Sequence, residues 1–412
     1  MKAHSTVVVV GGGVIGCAVA YFAARRGLDV TLIDTPKRGR ATSASAGGLW
    51  PIGESVGLGC GVIFAKAMAA SGTPDAGAHP GRLPASFLDF ALESNTLVPG
   101  LAEDLRAETG LDIEFERTSL LFLMYDEGDE AYARGLWDDY PAQRARFEWL
   151  TSAGVAAAEP ALTRAVRGAL RFHGDDQVNP YRFADALRAG ARVHGATILP
   201  HTEVTGVVRA GSRVIGVETP GRIIGCEVLV NAAGSWAGEI AAMAGIPVPV
   251  HPVRGQIVCT ETLPKILTAC ISTTDCYLAQ KQHGEVIIGS TTEDVGFDTG
   301  TTAAAVRTLS RGAVRAVPEL ANVTVKRVWS GLRPGTPDEL PILGPVDGVT
   351  GYLNACGHFR TGILNAPLTG RTIAELAAGE QSKHPIEPFL LSRFQLGTAD
   401  PRATVASAAQ AG

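Results

Sequence analysis

The sequence predicts an α/β fold with a parallel sheet flanked by helices and a second strand-rich region further along the chain. Three observations carry the prediction. A strand, a glycine-rich turn, a helix and a second strand follow one another within the first 34 residues. Strand patterns dominate again between residues 251 and 328. The chain of 412 residues is long enough for two domains or one large interleaved body.

Val7-Val8-Val9-Val10 is an unbroken apolar run, the pattern of a strand buried on both faces of a parallel sheet. Gly11-Gly12-Gly13 ends it. A helical pattern follows with Ile15, Val19, Phe22 and Ala23 on one side, closing on Arg25-Arg26-Gly27. Residues 30–34 form the next strand and complete a βαβ unit. Residues 69–84 are rich in Gly, Pro, Ala and Ser and read as a surface loop. Residues 87–109 are helical in pattern, 113–116 alternate as a half-buried strand, and 120–125 continue that sheet. A helix is expected over 183–196, then short strands over 197–199, 204–208 and 214–218. Residues 228–234 read as a buried strand ending on a glycine turn. Strands over 256–260, 277–280 and 286–289 follow. The last dozen residues, rich in Ala, Ser and Gln, are expected to be a mobile tail.

Composition removes several function classes. Hydrophobic residues make up 46% and charged residues 19%, which argues against disorder. A net charge of −5 and a pI near 6.0 provide no basic field for nucleic acid or an anionic membrane. The seven cysteines lack a C-x-x-C pair or regular spacing, so neither a disulfide framework nor a metal site is expected, and reduced thiols fit a cytoplasmic protein. The N-terminal apolar run imitates a signal peptide, but Gly11-Gly12-Gly13 splits it and no convincing cleavage site follows. No stretch reaches the ~18 uninterrupted apolar residues of a transmembrane helix.

Gly11-x-Gly13-x-x-Gly16 sits between strand and helix, where it has a defined use. The first Gly allows the tight turn, the second lets backbone approach a pyrophosphate, and the third lets helix pack on sheet. The free N–H groups and positive end of the helix then hold the diphosphate. Asp34 ends the second strand, where a carboxylate accepts hydrogen bonds from a ribose 2′-OH, favouring FAD or NAD over NADP. The small-residue run 42–49 would let a flat ring and ribityl chain lie against backbone, which favours FAD; alone, it could equally be a flexible loop.

At this point a family resemblance appears. The fingerprint, the Thr42-Ser43 run, Asn231-Ala232-Ala233-Gly234-Ser235-Trp236, Gly331-Leu332-Arg333-Pro334 and Gly357-His358-Phe359-Arg360-Thr361-Gly362-Ile363 together resemble the D-amino-acid oxidase family of flavoproteins, in its glycine oxidase branch. Segments 45–61 and 289–294 are similar to the flavin subunits of hydrogen cyanide synthase, D-hydroxyproline dehydrogenase and opine oxidase. The resemblance implies a Rossmann-like FAD-binding domain over 1–85, 160–240 and 328–396. Interleaved with it, the resemblance gives a mainly antiparallel-sheet substrate domain over 86–159 and 241–327, with 397–412 as tail.

The resemblance also implies roles. Gly11, Gly13 and Gly16 with Val14 and Ile15 would meet the diphosphate, and Asp34 the adenosine ribose. Val204 would meet the adenine through its backbone. Thr42, Ser43, Gly47, Gly48 and Leu49 would run along the flavin. His358, Phe359, Arg360, Thr361, Gly362, Ile363 and Leu364 would lie at its pyrimidine end. Arg333 matches the arginine that holds the substrate carboxylate, unless it makes a surface ion pair with Asp338 or Glu339. Arg360 matches a second arginine, or braces the helix cap. Tyr277 matches an active-site tyrosine, or is a core tyrosine of the sheet.

Two departures qualify the match. Gly331 stands where some relatives tether flavin through cysteine, so non-covalent FAD is expected. Val286-Ile287-Ile288 stands where some oxidases carry an oxygen-activating lysine, although Lys281 is nearby in sequence.

The implied activity is oxidation of a C–N bond in a small amino or imino acid, with hydride passing to the flavin. Conversion of glycine to hydrogen cyanide and CO2 is placed first. The alternatives are a D-hydroxyproline or opine dehydrogenase subunit, a self-sufficient oxidase making hydrogen peroxide, and a non-catalytic flavin-binding subunit. A mean hydropathy of +0.14 is high for a soluble enzyme and points to covered apolar surface. The resemblance accordingly implies a heteromeric complex with a larger flavin subunit and a small iron–sulfur subunit. FMN or an iron–sulfur centre would sit on, or be shared with, those partners. The chain would be cytoplasmic, or peripheral to the inner membrane through its electron acceptor.

Overall fold

The computed structural model describes residues 4–58 and 82–394. Residues 69–81 of the loop expected over 69–84, residues 59–61 of the matched segment with Cys60, and the tail lie outside them. Two eight-stranded sheets make the frame.

In the first sheet, His4–Val10 runs parallel to Val30–Ile33 on one side and to Arg222–Asn231 on the other. Thr197–Leu199 extends the parallel edge beyond Val30–Ile33, and Val349–Cys356 pairs in parallel with Arg222–Asn231. The unbroken valine run now has a physical account. Val7 and Val9 belong to the core beneath the helices Val14–Arg25, Pro180–Val193 and Gly362–Ala377, whereas Val8 and Val10 belong to the core on the opposite face. A strand covered on both sides needs no polar alternation.

Val14–Arg25 is buried almost all round because the other two helices flank it. Gly370 makes the crossing with Gly362–Ala377 close: a Cβ there would lie 2.8 Å from the Ala18 backbone carbon. Arg25 occupies the last turn and Gly27 follows at φ +83°, the cation-then-glycine ending read from sequence.

The second sheet runs Val325–Gly335, His251–Thr262, Glu285–Gly289, Tyr277–Gln280, Cys270–Ser272, Ser119–Met124, Gly168–His173, Phe147–Thr151. Every pairing is antiparallel except Cys270–Ser272 with Ser119–Met124. Two of its strands, Gly168–His173 and Val325–Gly335, come from stretches grouped above with the cofactor half, so the chain passes between sheets there.

Two expected strands differ. Residues 113–116 are not a strand, and only Glu116 makes an isolated bridge, to Gln177. Asp112 accepts from the Glu114 amide at 2.8 Å, turning Glu114 to φ +55°. Its buried carboxylate is claimed by Arg182 and by Asn179. The alternation there reflects ion pairing rather than a sheet face. Val204 precedes its strand, which begins at Gly206 and ends at Ala210. The helix expected over 87–109 is Ala85–Thr109, with Pro99 inside it.

Gly370→Val should destabilise the protein by about 1–3 kcal/mol or more, because the crossing backbone cannot yield. Gly100→Ala, in the helix Ala85–Thr109 with nothing within 4 Å of the added Cβ, should stabilise it by about 0.5–1 kcal/mol. Denaturant unfolding of both variants checks the pair.

Candidate active site

A single cleft begins at the C-terminal ends of the parallel strands, where ligands of open α/β sheets bind, and runs to one face of the antiparallel sheet. Its wall starts at Val10 to Ile15, Asp34, Thr42 and Ala232 to Trp236, and ends at Gly255, Tyr277, Arg333 and His358 to Arg360.

At the nucleotide end the backbone is packed so closely that side chains are excluded. Gly11 has φ +108°, and a Cβ on it would lie 2.4 Å from the Ala232 carbonyl oxygen; one on Gly16 would lie 1.8 Å from that of Gly11. The Gly12 amide donates to Asp34 Oδ1 at 2.8 Å, and the Val14 amide to Thr42 Oγ1 at 3.0 Å. The helix at Val14 has no side-chain cap at Gly13 and no acid in its first turn, leaving its positive end for an anion. Arg40, missed from the sequence, holds Asp34 through two parallel bonds of 3.0 Å. Both face the cleft, Arg40 and Asp34 forming one charge-compensated pair in its wall.

The small residues of the middle section are required by chain-to-chain contact as well. A Cβ on Gly47 would meet the Val178 carbonyl oxygen at 2.1 Å, and one on Gly331 would meet Ala44 Cβ at 2.3 Å. Gly331 therefore has no space for the tethering cysteine of other flavoproteins. Every cysteine among the described residues is buried and unbridged. Burial pushes the Cys356 and Cys276 thiols up to about 12.

At the far end two glycines of the antiparallel sheet carry the polar side chains. Arg333 lies across Gly255, whose added Cβ would fall 2.2 Å from Nη1. The guanidinium donates to Ser290 Oγ at 2.6 Å and to the Thr291 carbonyl at 3.1 Å. Tyr277 pairs with Gly289 across the strands, and a Cβ on Gly289 would lie 2.3 Å from its hydroxyl oxygen. The Tyr277 ring meets Trp50 edge-on at 5.5 Å. The surface pair considered for Arg333 does not describe this site, because Asp338 pairs with Arg393 and Glu339 with Arg360.

Arg360 reaches Glu54 Oε2 at 2.5 Å and Glu339 Oε2 at 2.6 Å. Burial raises the pKa of Glu54, opposed by Arg360 and Arg333. Behind it, Asp175 accepts the Ile52 and Gly53 amides, and burial raises its pKa well above the ordinary carboxyl value. His358 is buried, donates to or accepts from Thr369 Oγ1 at 3.0 Å, and is held to about 3, so its ring is neutral.

Of the expected residues, Gly11, Gly13, Val14, Ile15, Asp34, Thr42, Gly47, Gly48, Val204, Tyr277, Arg333, His358, Phe359, Arg360, Gly362 and Ile363 line the cleft. Five do not. Gly16 sits in the strand–helix contact, and Leu49 is buried in the core. The Ser43 and Thr361 hydroxyls donate to the Arg40 and His358 carbonyls, and the Leu364 carbonyl accepts from Ser94. Lys281 is likewise absent from the wall. Its ammonium donates to Gln177 Oε1 at 2.9 Å and the Val178 carbonyl at 3.2 Å, and burial lowers its pKa to about 8.

A glycine-cradled diphosphate end, a ribose acid, an uncapped helix N-terminus and a long cleft fit flavin adenine dinucleotide. They define the class: a flavin-dependent oxidoreductase. The family model "FAD dependent oxidoreductase" (DAO) matches residues 6–376, and the chain belongs to that family. It is 51% identical to the hydrogen cyanide synthase subunit HcnC of Pseudomonas protegens over 405 residues, 96% of this chain and 97% of that one. It is 32% identical to the glycine oxidase of Geobacillus kaustophilus over 396 residues, 94% of this chain and 96% of that one. The crystal structure of glycine oxidase from that organism superposes with a TM-score of 0.84 at 30% identity, covering 95% of this chain and 99% of that one. No helix among the described residues is long and apolar enough to cross a membrane.

Gly255→Ala should displace the Arg333 guanidinium and raise the dissociation constant for small carboxylates about tenfold or more while FAD content is unchanged. Gly289→Ala should do the same through Tyr277. Titration of the flavin absorbance with acetate checks both. Lys281 gives a pH test with a worked sign. Its folded pKa of about 8 lies below the ordinary 10.5, so the unfolded chain binds more protons between those values and stability rises with pH there. Comparison of unfolding free energies with Lys281→Met from pH 7.5 to about 10.5 should show that rise in the wild type and its loss in the variant.

Proposed function

We propose that this chain is the FAD-bearing catalytic subunit of a hydrogen cyanide synthase, oxidising glycine to hydrogen cyanide and CO2. The observation that carries the reading is Arg333, laid across Gly255 at the end of the flavin-sized cleft of a chain half-identical to a hydrogen cyanide synthase subunit. The balance is simple: glycine yields HCN, CO2 and four hydrogens, removed as two successive two-electron oxidations.

Bound non-covalently, FAD supplies the two-electron acceptor for each oxidation. The protein's own part is binding and orientation. Gly11, Gly13 and the helix start at Val14 and Ile15 hold the diphosphate. Asp34 and Arg40 share the ribose–diphosphate end, and Val204 meets the adenine. Thr42, Gly47 and Gly48 border the flavin. The helix Gly362–Ala377, with no acid in its first turn, presents its positive end to the pyrimidine side through His358 to Ile363. Arg333, held by Ser290 and the Thr291 carbonyl, anchors the substrate carboxylate through its guanidinium fork. Tyr277 and Trp50 wall the reacting carbon away from water. The neutral His358 adds no competing charge.

Electrons leave to partner subunits, a larger flavin protein and a small iron–sulfur protein in this reading. Lys281 supports an acceptor other than oxygen: its ammonium is held by Gln177 Oε1 and the Val178 carbonyl and takes no part in the cleft wall. The runner-up is a glycine oxidase releasing glyoxylate, ammonia and hydrogen peroxide, favoured by the 32% identity and the shared fold.

With glycine and an artificial acceptor, the purified complex should release cyanide and CO2 in equal amounts. Glyoxylate and peroxide without cyanide would replace this reading with the oxidase. Arg333→Ala should lower kcat/KM by about a hundredfold or more with FAD retained. A non-catalytic flavin carrier would keep full activity in that variant.

A further inference from the structure

Beside the anchor for one carboxylate, the cleft carries a second arginine whose charge is already spoken for. Arg360 donates through Nε to Glu54 Oε2 at 2.5 Å, through Nη1 to Glu339 Oε2 at 2.6 Å, and through Nη2 to the Glu54 carbonyl at 3.3 Å. Its side chain is 3% exposed, and those of Glu54 and Glu339 are 10% and 27% exposed. One cation between two carboxylates leaves one negative charge beside the positive charge of Arg333.

The backbone on both sides of this cluster is bent to make it. Glu339 stands at φ +62° and Phe359 at φ +47°, left-handed conformations that cost residues with side chains free energy. The Glu339 amide is held by the Thr336 carbonyl, and that of Phe359 by the Pro334 carbonyl, directly after Arg333. Glu54 comes from a third place, the short helix Pro51–Ser55, whose start is fixed by the buried Asp175. Three separate segments, two of them strained, converge on one guanidinium at the substrate end. Such strain persists where the surroundings over-determine it.

We infer that the Glu54–Arg360–Glu339 cluster is a charge selector that restricts this site to small amino acids with a single carboxylate. A zwitterion such as glycine places its carboxylate on Arg333 and its ammonium toward the negative cluster. A substrate with a second carboxylate, as in N-carboxyalkyl amino acids, meets Glu54 and an arginine whose fork is already occupied by Glu54 and Glu339. The inference rests on the reading of Arg333 as the carboxylate anchor. It assigns Glu54 and Glu339 as specificity-determining residues.

The test is ligand binding to the FAD-loaded protein, read from the flavin absorbance at constant ionic strength. Acetate probes the single anchor and malonate the second carboxylate. Acetate should bind the wild type about tenfold or more tightly than malonate does. Glu339→Gln, at the more exposed carboxylate, should move that ratio about tenfold toward malonate by releasing part of the Arg360 fork. Glu54→Gln should move it in the same direction; if that variant fails to retain FAD, Glu339→Gln decides. Equal affinity of the wild type for both ligands overturns the selector. So does an unchanged ratio in a Glu339→Gln protein that keeps its FAD. Because no turnover is involved, a failure of glycine to yield cyanide would remove the proposed reaction and leave the selector standing.

Discussion

The segment Gly331–Pro334 is the seam on which the two sheets and both ends of the cleft depend. It belongs to the last strand of the antiparallel sheet, yet its backbone is claimed by the other half of the molecule. The Leu332 amide donates to the Gly39 carbonyl at 2.7 Å, and the Leu332 carbonyl accepts from Ser235 Oγ at 2.8 Å. The Pro334 carbonyl accepts from Phe359 at 2.9 Å, and Gly331 lets the strand touch Ala44. Gly39 precedes Arg40, Ser235 follows the strand Arg222–Asn231, and Phe359 opens the turn into Gly362–Ala377. One short piece of chain thereby sets where the nucleotide end, the flavin run and the pyrimidine turn stand relative to Arg333. The orientation that this chemistry requires depends on that spacing.

Charge is distributed along the cleft with matching economy. One end has the helix start at Val14 and the paired charges of Arg40 and Asp34. The middle is backbone and small apolar groups, which suits an uncharged ring. The far end has Arg333 against the Glu54–Arg360–Glu339 cluster. His358, within the turn, is kept neutral by burial, and Cys356 and Cys276 are held as thiols.

The N-terminal unit was legible because everything that defines it is local. An apolar run, three glycines, a helical stripe and an acid lie within 34 residues, and each has one economical structural use. Arg333, Tyr277 and the turn at His358 were legible only through family resemblance. No periodicity distinguishes an arginine aimed at a ligand from one on a sheet edge. Arg40 was missed because it ends the run Lys37-Arg38-Gly39-Arg40, which reads as a solvated loop; its partner Asp34 had already been assigned to ribose. Residues 113–116 misled for the converse reason. Their alternation was real, but the buried position belongs to a carboxylate held by ion pairs.

Gly255 and Gly289 show where sequence reading stops. Each is an isolated glycine in a strand, a known mark of close approach, so a signal was present. What approaches each is set by cross-strand geometry. Gly289 faces Tyr277, and Gly255 faces Gly331 with Arg333 reaching back over it. Those partners are remote in sequence, and a shift of one residue in register would turn both side chains to the other face of the sheet. The placement of Arg333 and Tyr277 is therefore a property of register, stored in the pairing of His251–Thr262 with Val325–Gly335 and of Tyr277–Gln280 with Glu285–Gly289. Residue identity supplies the guanidinium and the phenol. The absence of a Cβ on the neighbouring strand determines where they can lie.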